Sequence, residues 1–156
     1  MYARDIDIPF YDITKKLRLI KPDPKYAPVT IQWISKDEVT KYLGADFSKM
    51  TVEDEVKHLE NMVDDDDRYS WMIELDGEIV GNIEINEIKD LSQKYGVNTG
   101  AFCTLIGDPS NWGRGLGSSA KKAASNWAFS EGGFEMIEAK AYVQNIRSWS
   151  ALEKLG

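Results

Sequence analysis

The stretch from Ile106 to Ala124, IGDPSNWGRGLGSSAKKAA, sets Gly113, Gly115 and Gly117 directly before a run of helix-forming residues. Glycines there remove side chains where successive backbone amides must point the same way. A helix N-terminus adds roughly half a positive charge, so the segment reads as an anion cradle opening a helix. Arg114, Lys121 and Lys122 add positive charge to a chain whose formal net charge is −7. That contrast favours a phosphorylated ligand. The Walker pattern, with its Gly-Lys-Ser/Thr ending, is nowhere in the sequence. Gly115-Leu-Gly117-Ser-Ser-Ala120 matches G-x-G-x-x-A, but the glycines fall well past the preceding strand and no acidic residue closes the next one, which argues against a dinucleotide site. A glycine-rich turn that caps a helix without any ligand is the plainer alternative.

Outward from this loop, the residues from Asn98 to Ile106 form a strand that leads into it, and the helix behind it runs to about Ser130, where Gly132-Gly133 stop it. A strand from Met136 to Val143 and a last helix from Ile146 to Leu155 follow. Upstream, WMIEL (71–75), the turn Asp76-Gly77 and EIVGNIEINEI (78–88) read as a hairpin. Alternation puts Ile79, Gly81, Ile83 and Ile85 on one face and Val80, Asn82, Glu84 and Asn86 on a polar, half-exposed face. The segment between this hairpin and Asn98, rich in Asp, Ser, Lys and Gly, reads as a loop. Nearer the start, Lys16 to Ile20 is a short strand, and Asp23-Pro24 opens a helix toward Trp33 that Pro28 makes imperfect. Ser35 and Glu38 are spaced as a capping box for a second helix ending at Gly44. From Thr51, the residues Val52, Val56, Leu59 and Val63 make one apolar helical stripe.

A chain of 156 residues supports one domain. We read it as residues 1–156, with 1–15 as an N-terminal extension. Apolar residues make up 42% and charged ones 29%, and no apolar run approaches a membrane span. The acidic balance argues against non-specific nucleic-acid binding, which needs a basic face. No secretory or transit segment is evident, and Cys103 is the lone cysteine, so no intrachain disulfide forms; both features fit the cytoplasm. The run Asp64 to Asp67 reads as a solvated helix end, and His58 as a surface residue with no metal-ligand companions. Cys103, inside a strand, reads as a small buried residue.

The run DPSNWGRGLGS (108–118), taken with YVQNIRSWSALEKLG (142–156), resembles the GNAT superfamily of N-acetyltransferases, in particular its ribosomal-protein N-terminal acetyltransferase branch. The likeness covers Lys16 to Gly156 in element order. It implies an α+β fold: a single domain with a mixed, mostly antiparallel central sheet flanked by helices. The family's usual C-terminal strands have no counterpart here, which would leave an open sheet edge and a tendency to self-associate. Acetyl-CoA is the implied cosubstrate. The amides around Arg114 to Ser118, framed by Trp112, Gly113, Gly115, Leu116 and Gly117, would hold its pyrophosphate. The strand at Thr104, Leu105 and Ile106 would pair with pantetheine and offer an amide to the thioester carbonyl, and Asn145 would hold the pantetheine arm; a plain N-cap, for which asparagine is a preferred residue, is the other reading of Asn145, and the two are compatible.

The family chemistry is direct attack of a neutral amine on the thioester. Many members place a tyrosine at the position of Leu152 to protonate the leaving thiolate. Here Ser148 is the candidate for stabilising or protonating it; a plain first-turn serine is the alternative. Glu84 is the candidate base, with Glu87 and Asp90 nearby. The implied acceptor is a primary amine, either a peptide N-terminus or a small cationic amine. An acyl-CoA-binding module without catalysis is the competing reading.

Overall fold

The structure, a computed structural model, describes residues 1–155; Gly156, the last residue of the 142–156 motif, lies outside them. Among the described residues six strands form one sheet in the order β1-β2-β3-β4-β5-β6: Ile6–Ile8, Leu17–Ile20, Tyr69–Leu75, Glu78–Asn86, Thr99–Ile106 and Met136–Ala139. Every neighbouring pair is antiparallel except β5 and β6. The expected α+β class and mostly antiparallel sheet are therefore present. The six α-helices are α1 (Ala27–Ile34), α2 (Asp37–Thr40), α3 (Val52–Asp64), α4 (Ile88–Tyr95), α5 (Leu116–Ser130) and α6 (Ile146–Glu153). None of them is long and apolar enough to cross a membrane.

The sheet divides two apolar layers. On one face α5 lays Leu116, Ala120, Ala124, Trp127 and Ala128 against Leu17, Leu19, Trp71, Ile73, Ile83 and Ile85. Its alanines allow close approach. Trp71 and Trp127 meet edge to face with ring centroids 5.0 Å apart, and Tyr69 packs on Trp127 at 4.7 Å. This fixes α5 so that its N-terminus reaches the end of β5. On the other face α1 and α3 cover Ile20 and Met72 with Ala27, Trp33, Leu59 and Met62.

Several local readings need correction. The segment 1–15 is not merely an extension: Ile6 and Ile8 are buried on either side of Asp7, and β1 joins the sheet edge with Asp7 opposite Arg18. Two apolar residues are too short a run for alternation to register. The helix opened at Asp23 is a 3-10 turn over Pro24–Tyr26, and α1 follows from Ala27 with Pro28 in its first turn, where the missing N–H costs nothing. The Ser35–Glu38 box does not form, because Ser35 Oγ donates instead to Ile31 O and Lys36 takes the N-cap. Gly44 adopts the left-handed conformation, but beyond the four-residue α2.

On α3 the buried stripe is Glu55, Leu59 and Met62, and Val52 is exposed. The helix is rotated so that long flexible stems fill the space. Its start at Thr51 is correct and carries a true capping box with Asp54: Asp54 N donates to Thr51 Oγ1 at 3.1 Å and Thr51 N to Asp54 Oδ2 at 3.0 Å. We expect Thr51→Ala to cost about 1 kcal/mol and to lower the melting temperature by roughly 2–4 °C in a thermal unfolding scan. An unchanged midpoint would show that α3 is held by packing alone.

The segment after Asn86 is helix α4 rather than loop. It starts from Glu87 in the left-handed region, buries Leu91 and ends on the left-handed Gly96. β6 stops at Ala139 instead of Val143, because its pairing with β5 ends at Phe102.

Candidate functional site

β5 is paired with β4 through to Ile106, yet its pairing with β6 ends at Phe102 opposite Ala139. Among the described residues, the β6-facing edge from Cys103 to Ile106 therefore has no strand beside it. Apart from Ile106 O, which Trp112 Nε1 takes, the main-chain groups on this edge lie open to a ligand that can mimic a strand. The three predicted residues Thr104, Leu105 and Ile106 all lie on it. Cys103, expected to be buried, is exposed for the same reason. The cleft walls still desolvate its thiol and, with Glu84 adding to the effect, push it up to about 11, so it is no ready nucleophile.

The glycine loop turns directly off this edge. Asp108 caps the short 3-10 turn Pro109–Asn111, its side chain accepting from Ser110 N. Trp112 Nε1 then donates to Ile106 O at 3.0 Å, anchoring the loop to the strand end. Gly113 and Gly115 take φ of 75° and 76°, the left-handed region that glycine adopts at no steric cost. Gly115 is the N-cap of α5 and makes no side-chain cap. Among the described residues, no protein group accepts from the amides of Gly113, Arg114, Gly115, Leu116, Gly117 or Ser118. The Leu116 side chain is buried in the core, so only its amide faces the loop. Arg114 is steered by a 2.7 Å bond from Nη1 to Asn111 Oδ1. A side chain built on Gly117 would begin 3.9 Å from Thr104 Cγ2 and 3.8 Å from Ile106 Cγ1, so the helix N-terminus stands over the open edge. The Thr104 hydroxyl there is buried without a partner.

The third wall is α6. Asn145 is its N-cap, with Oδ1 accepting from Ser148 N at 3.3 Å. This capping role was the plainer of the two readings of Asn145. The Arg147 guanidinium lies 3.4 Å above the Trp112 ring, joining α6 to the glycine loop, and Tyr42 OH donates to Gln144 O just before the helix. The two motifs that the sequence keeps apart, 108–118 and 142–156, thus meet through Trp112 and Arg147. Neither Arg147 nor Tyr42 was singled out from sequence; the only signal was Arg147's place between Asn145 and Ser148.

Glu84 is set apart from these groups. It lies on β4 between Ser70 of β3 and Cys103 of β5, on the face opposite α5. It was expected to be half exposed and is instead buried at 5% exposure, 3.4 Å from Arg68 Nη1. Arg68 also binds Asp65 through Nη2 at 2.7 Å. No hydrogen bond or ion pair joins Glu84 to Ser148 or to the glycine loop among the described residues. The alternation that gave Glu84 its face fails at Val80, where a β-bulge lets Ile73 pair with Gly81 and Glu74 with Ile79. Val80 therefore turns into the α5 layer with Ile83 and Ile85, and Ile79 packs on the other side. Glu87, at the start of α4, pairs with Lys140 at 3.7 Å and is exposed, as is Asp90. His58 is exposed.

Free amides at a helix N-terminus thus stand beside a strand edge that β6 leaves unpaired. Comparison with known proteins gives the family. An N-acetyltransferase 9-like protein of Caenorhabditis briggsae is 20% identical over 148 residues, covering 91% of this chain and 74% of that protein. A GNAT-family acetyltransferase from Bacillus anthracis superposes with a TM-score of 0.75 at 22% identity, over 97% of this chain and 82% of its own. RimL, a ribosomal L7/L12 alpha-N-protein acetyltransferase solved with coenzyme A, superposes with a TM-score of 0.78 at 17% identity, over 96% and 82%. The family model of the acetyltransferase (GNAT) domain matches residues 16–156, and the chain accordingly belongs to the GNAT acetyltransferases, enzymes whose cosubstrate is acetyl-CoA.

Proposed function

We propose that this protein transfers the acetyl group of acetyl-CoA to the α-amine of a peptide or protein N-terminus. The observation that carries the reading is the open β5 edge at Cys103–Ile106 leading into six unpartnered amides. In this reading the amides from Gly113 to Ser118 bind the pyrophosphate, with Arg114 adding charge. Thr104, Leu105 and Ile106 pair with the pantetheine through their backbone. An amide of that strand donates to the thioester oxygen as negative charge develops there. Asn145 fixes the start of α6 and orients Ser148, whose hydroxyl hydrogen-bonds the departing sulfur.

Glu84 is proposed to take the proton released by the acceptor amine, through water. An α-amine with pKa about 8 is roughly a tenth neutral at pH 7, whereas an alkylamine near 10.4 is neutral about four times in ten thousand. A carboxylate already paired with Arg68 and working through water is enough for the first acceptor and poorly suited to the second. The likeness to RimL points the same way.

Thiol release from acetyl-CoA, measured with a panel of peptides, polyamines and aminoglycosides, tests this. Peptides with free N-termini should be turned over, and blocking the N-terminus should abolish release. Preference for a polyamine or aminoglycoside would transfer the site to a cationic small molecule. Tight coenzyme binding with no acceptor-dependent release would make the chain a binding module. Glu84→Gln is expected to lower kcat about 10-fold at pH 7 and to recover to within about 3-fold at pH 9, where the amine is already neutral. A loss that does not recover with pH would assign Glu84 to structure or acceptor binding.

A further inference from the structure

Lys121 follows Gly117 by one turn of α5, and Gly117 stands over Thr104 and Ile106 at the open edge. Lys121 is 7% exposed, although lysine is among the residues least often buried. Among the described residues its ammonium donates no hydrogen bond and forms no ion pair. The one titratable group close enough to influence it is Cys103, the residue at which β5 loses its second partner. Nothing acidic offsets the charge, and burial lowers the ammonium pKa from its ordinary value. A buried cation without a counter-charge is costly, and such groups concentrate where chemistry needs them. Lys122, its neighbour, is exposed.

We propose that Lys121 is the general acid that protonates the coenzyme A thiolate as it leaves. The assignment rests on the acetyl-transfer reading above. The acceptor nitrogen forms a bond to the acetyl carbon and the carbon–sulfur bond breaks, its electron pair passing to sulfur. The Lys121 ammonium gives a proton to that sulfur, yielding free coenzyme A thiol and a neutral lysine. The acceptor nitrogen loses its extra proton to Glu84 through water, and Lys121 regains a proton from solvent once the thiol departs. Ser148 can hydrogen-bond the sulfur, but a hydroxyl that surrendered its proton would become an alkoxide, so the proton needs another source. Leu152 provides none.

The test has two readouts. In a Cys103→Ser background, which removes the protein's own thiol, coenzyme A is bound and its thiolate ultraviolet absorbance is followed against pH. The bound thiol should titrate at lower pH with Lys121 present than in Lys121→Met. In turnover, Lys121→Met should lose at least 100-fold in kcat with KM for acetyl-CoA within about 3-fold, the size expected for a lost general acid. Lys121→Arg keeps the charge but cannot release its proton, and should be impaired in kcat like the Met variant. The wild-type profile should show an alkaline fall that the Met variant lacks. The proposal is overturned by equal thiol titration in both proteins, by a wild-type profile without an alkaline limb, or by a stable acetyl adduct on Lys121, which would make it a nucleophile. If coenzyme A does not bind, the acetyl-transfer reading falls with it; if it binds and only the thiol titration is unaltered, Lys121 alone is misassigned.

Discussion

Gly117→Glu is expected to weaken coenzyme A binding at least 100-fold while leaving the melting temperature unchanged or slightly raised. Gly117 is the second residue of α5. A glutamate there is favourable for the helix itself: it complements the dipole by about 0.3–1 kcal/mol and replaces the residue with nearly the poorest helix propensity. An added Cβ meets only ordinary contacts, at 3.8 and 3.9 Å. The same carboxylate would stand where the pyrophosphate must come. Loss of the amide bonds together with like-charge repulsion amounts to about 3 kcal/mol, or more than 100-fold. Titration calorimetry with coenzyme A, alongside a thermal scan, separates the two effects. If affinity falls less than about 5-fold in a fully folded variant, the pyrophosphate does not use this helix N-terminus.

The elements around the loop could be read from sequence because the residues that decide them act locally. Glycine at positive φ, asparagine at an N-cap and threonine before an acidic first turn each impose a conformation within a few residues. Gly113, Gly115, Asn145 and Thr51 therefore behave as expected. What was not legible depends on distant partners. The short strand β1 exists because β2 offers it an edge, not because Ile6 and Ile8 demand it. Where β6 ends is fixed by where β5 stops accepting it, and no property of residues 140–143 shows this. The same divergence exposes Cys103 and opens the edge that the proposed function uses.

Glu84 and Lys121 illustrate the limit most clearly. One sits on an alternating strand and the other in a run of surface-like residues, so local pattern marks both as solvated. The Arg68 side chain beside Glu84 and the closeness of the alanine-rich α5 to the sheet at Lys121 go with their burial instead. The roles proposed for them rest on that burial, which only the assembled layers create.

Gly81→Ala should be the most damaging single-methyl change in the sheet. Gly81 follows the bulged Val80 and pairs with Ile73 on one side and Ile106 on the other. A Cβ added there lies 2.2 Å from the Leu105 carbonyl oxygen and 3.2 Å from Ile106 Cα. Both are backbone atoms of a paired strand, so no rotamer change relieves the clash and the β4–β5 ladder must open. We expect a loss of about 3 kcal/mol and a melting temperature lowered by roughly 6–12 °C. The displacement falls on the end of β5, where Gly107 N donates to Val80 O at 2.9 Å and Trp112 Nε1 grips Ile106 O. Coenzyme A affinity should consequently drop about 10-fold even at temperatures where the variant is folded. Gly77→Asn is the control: it lies in the same hairpin at φ +84°, has open space around it, and asparagine tolerates the left-handed region. Its expected effect is under about 1 kcal/mol, with no change in coenzyme binding. If the two variants melt together, the close approach at Gly81 does not constrain the strand; if only affinity separates them, the bulge serves to aim β5 and the loop behind it rather than to hold the sheet.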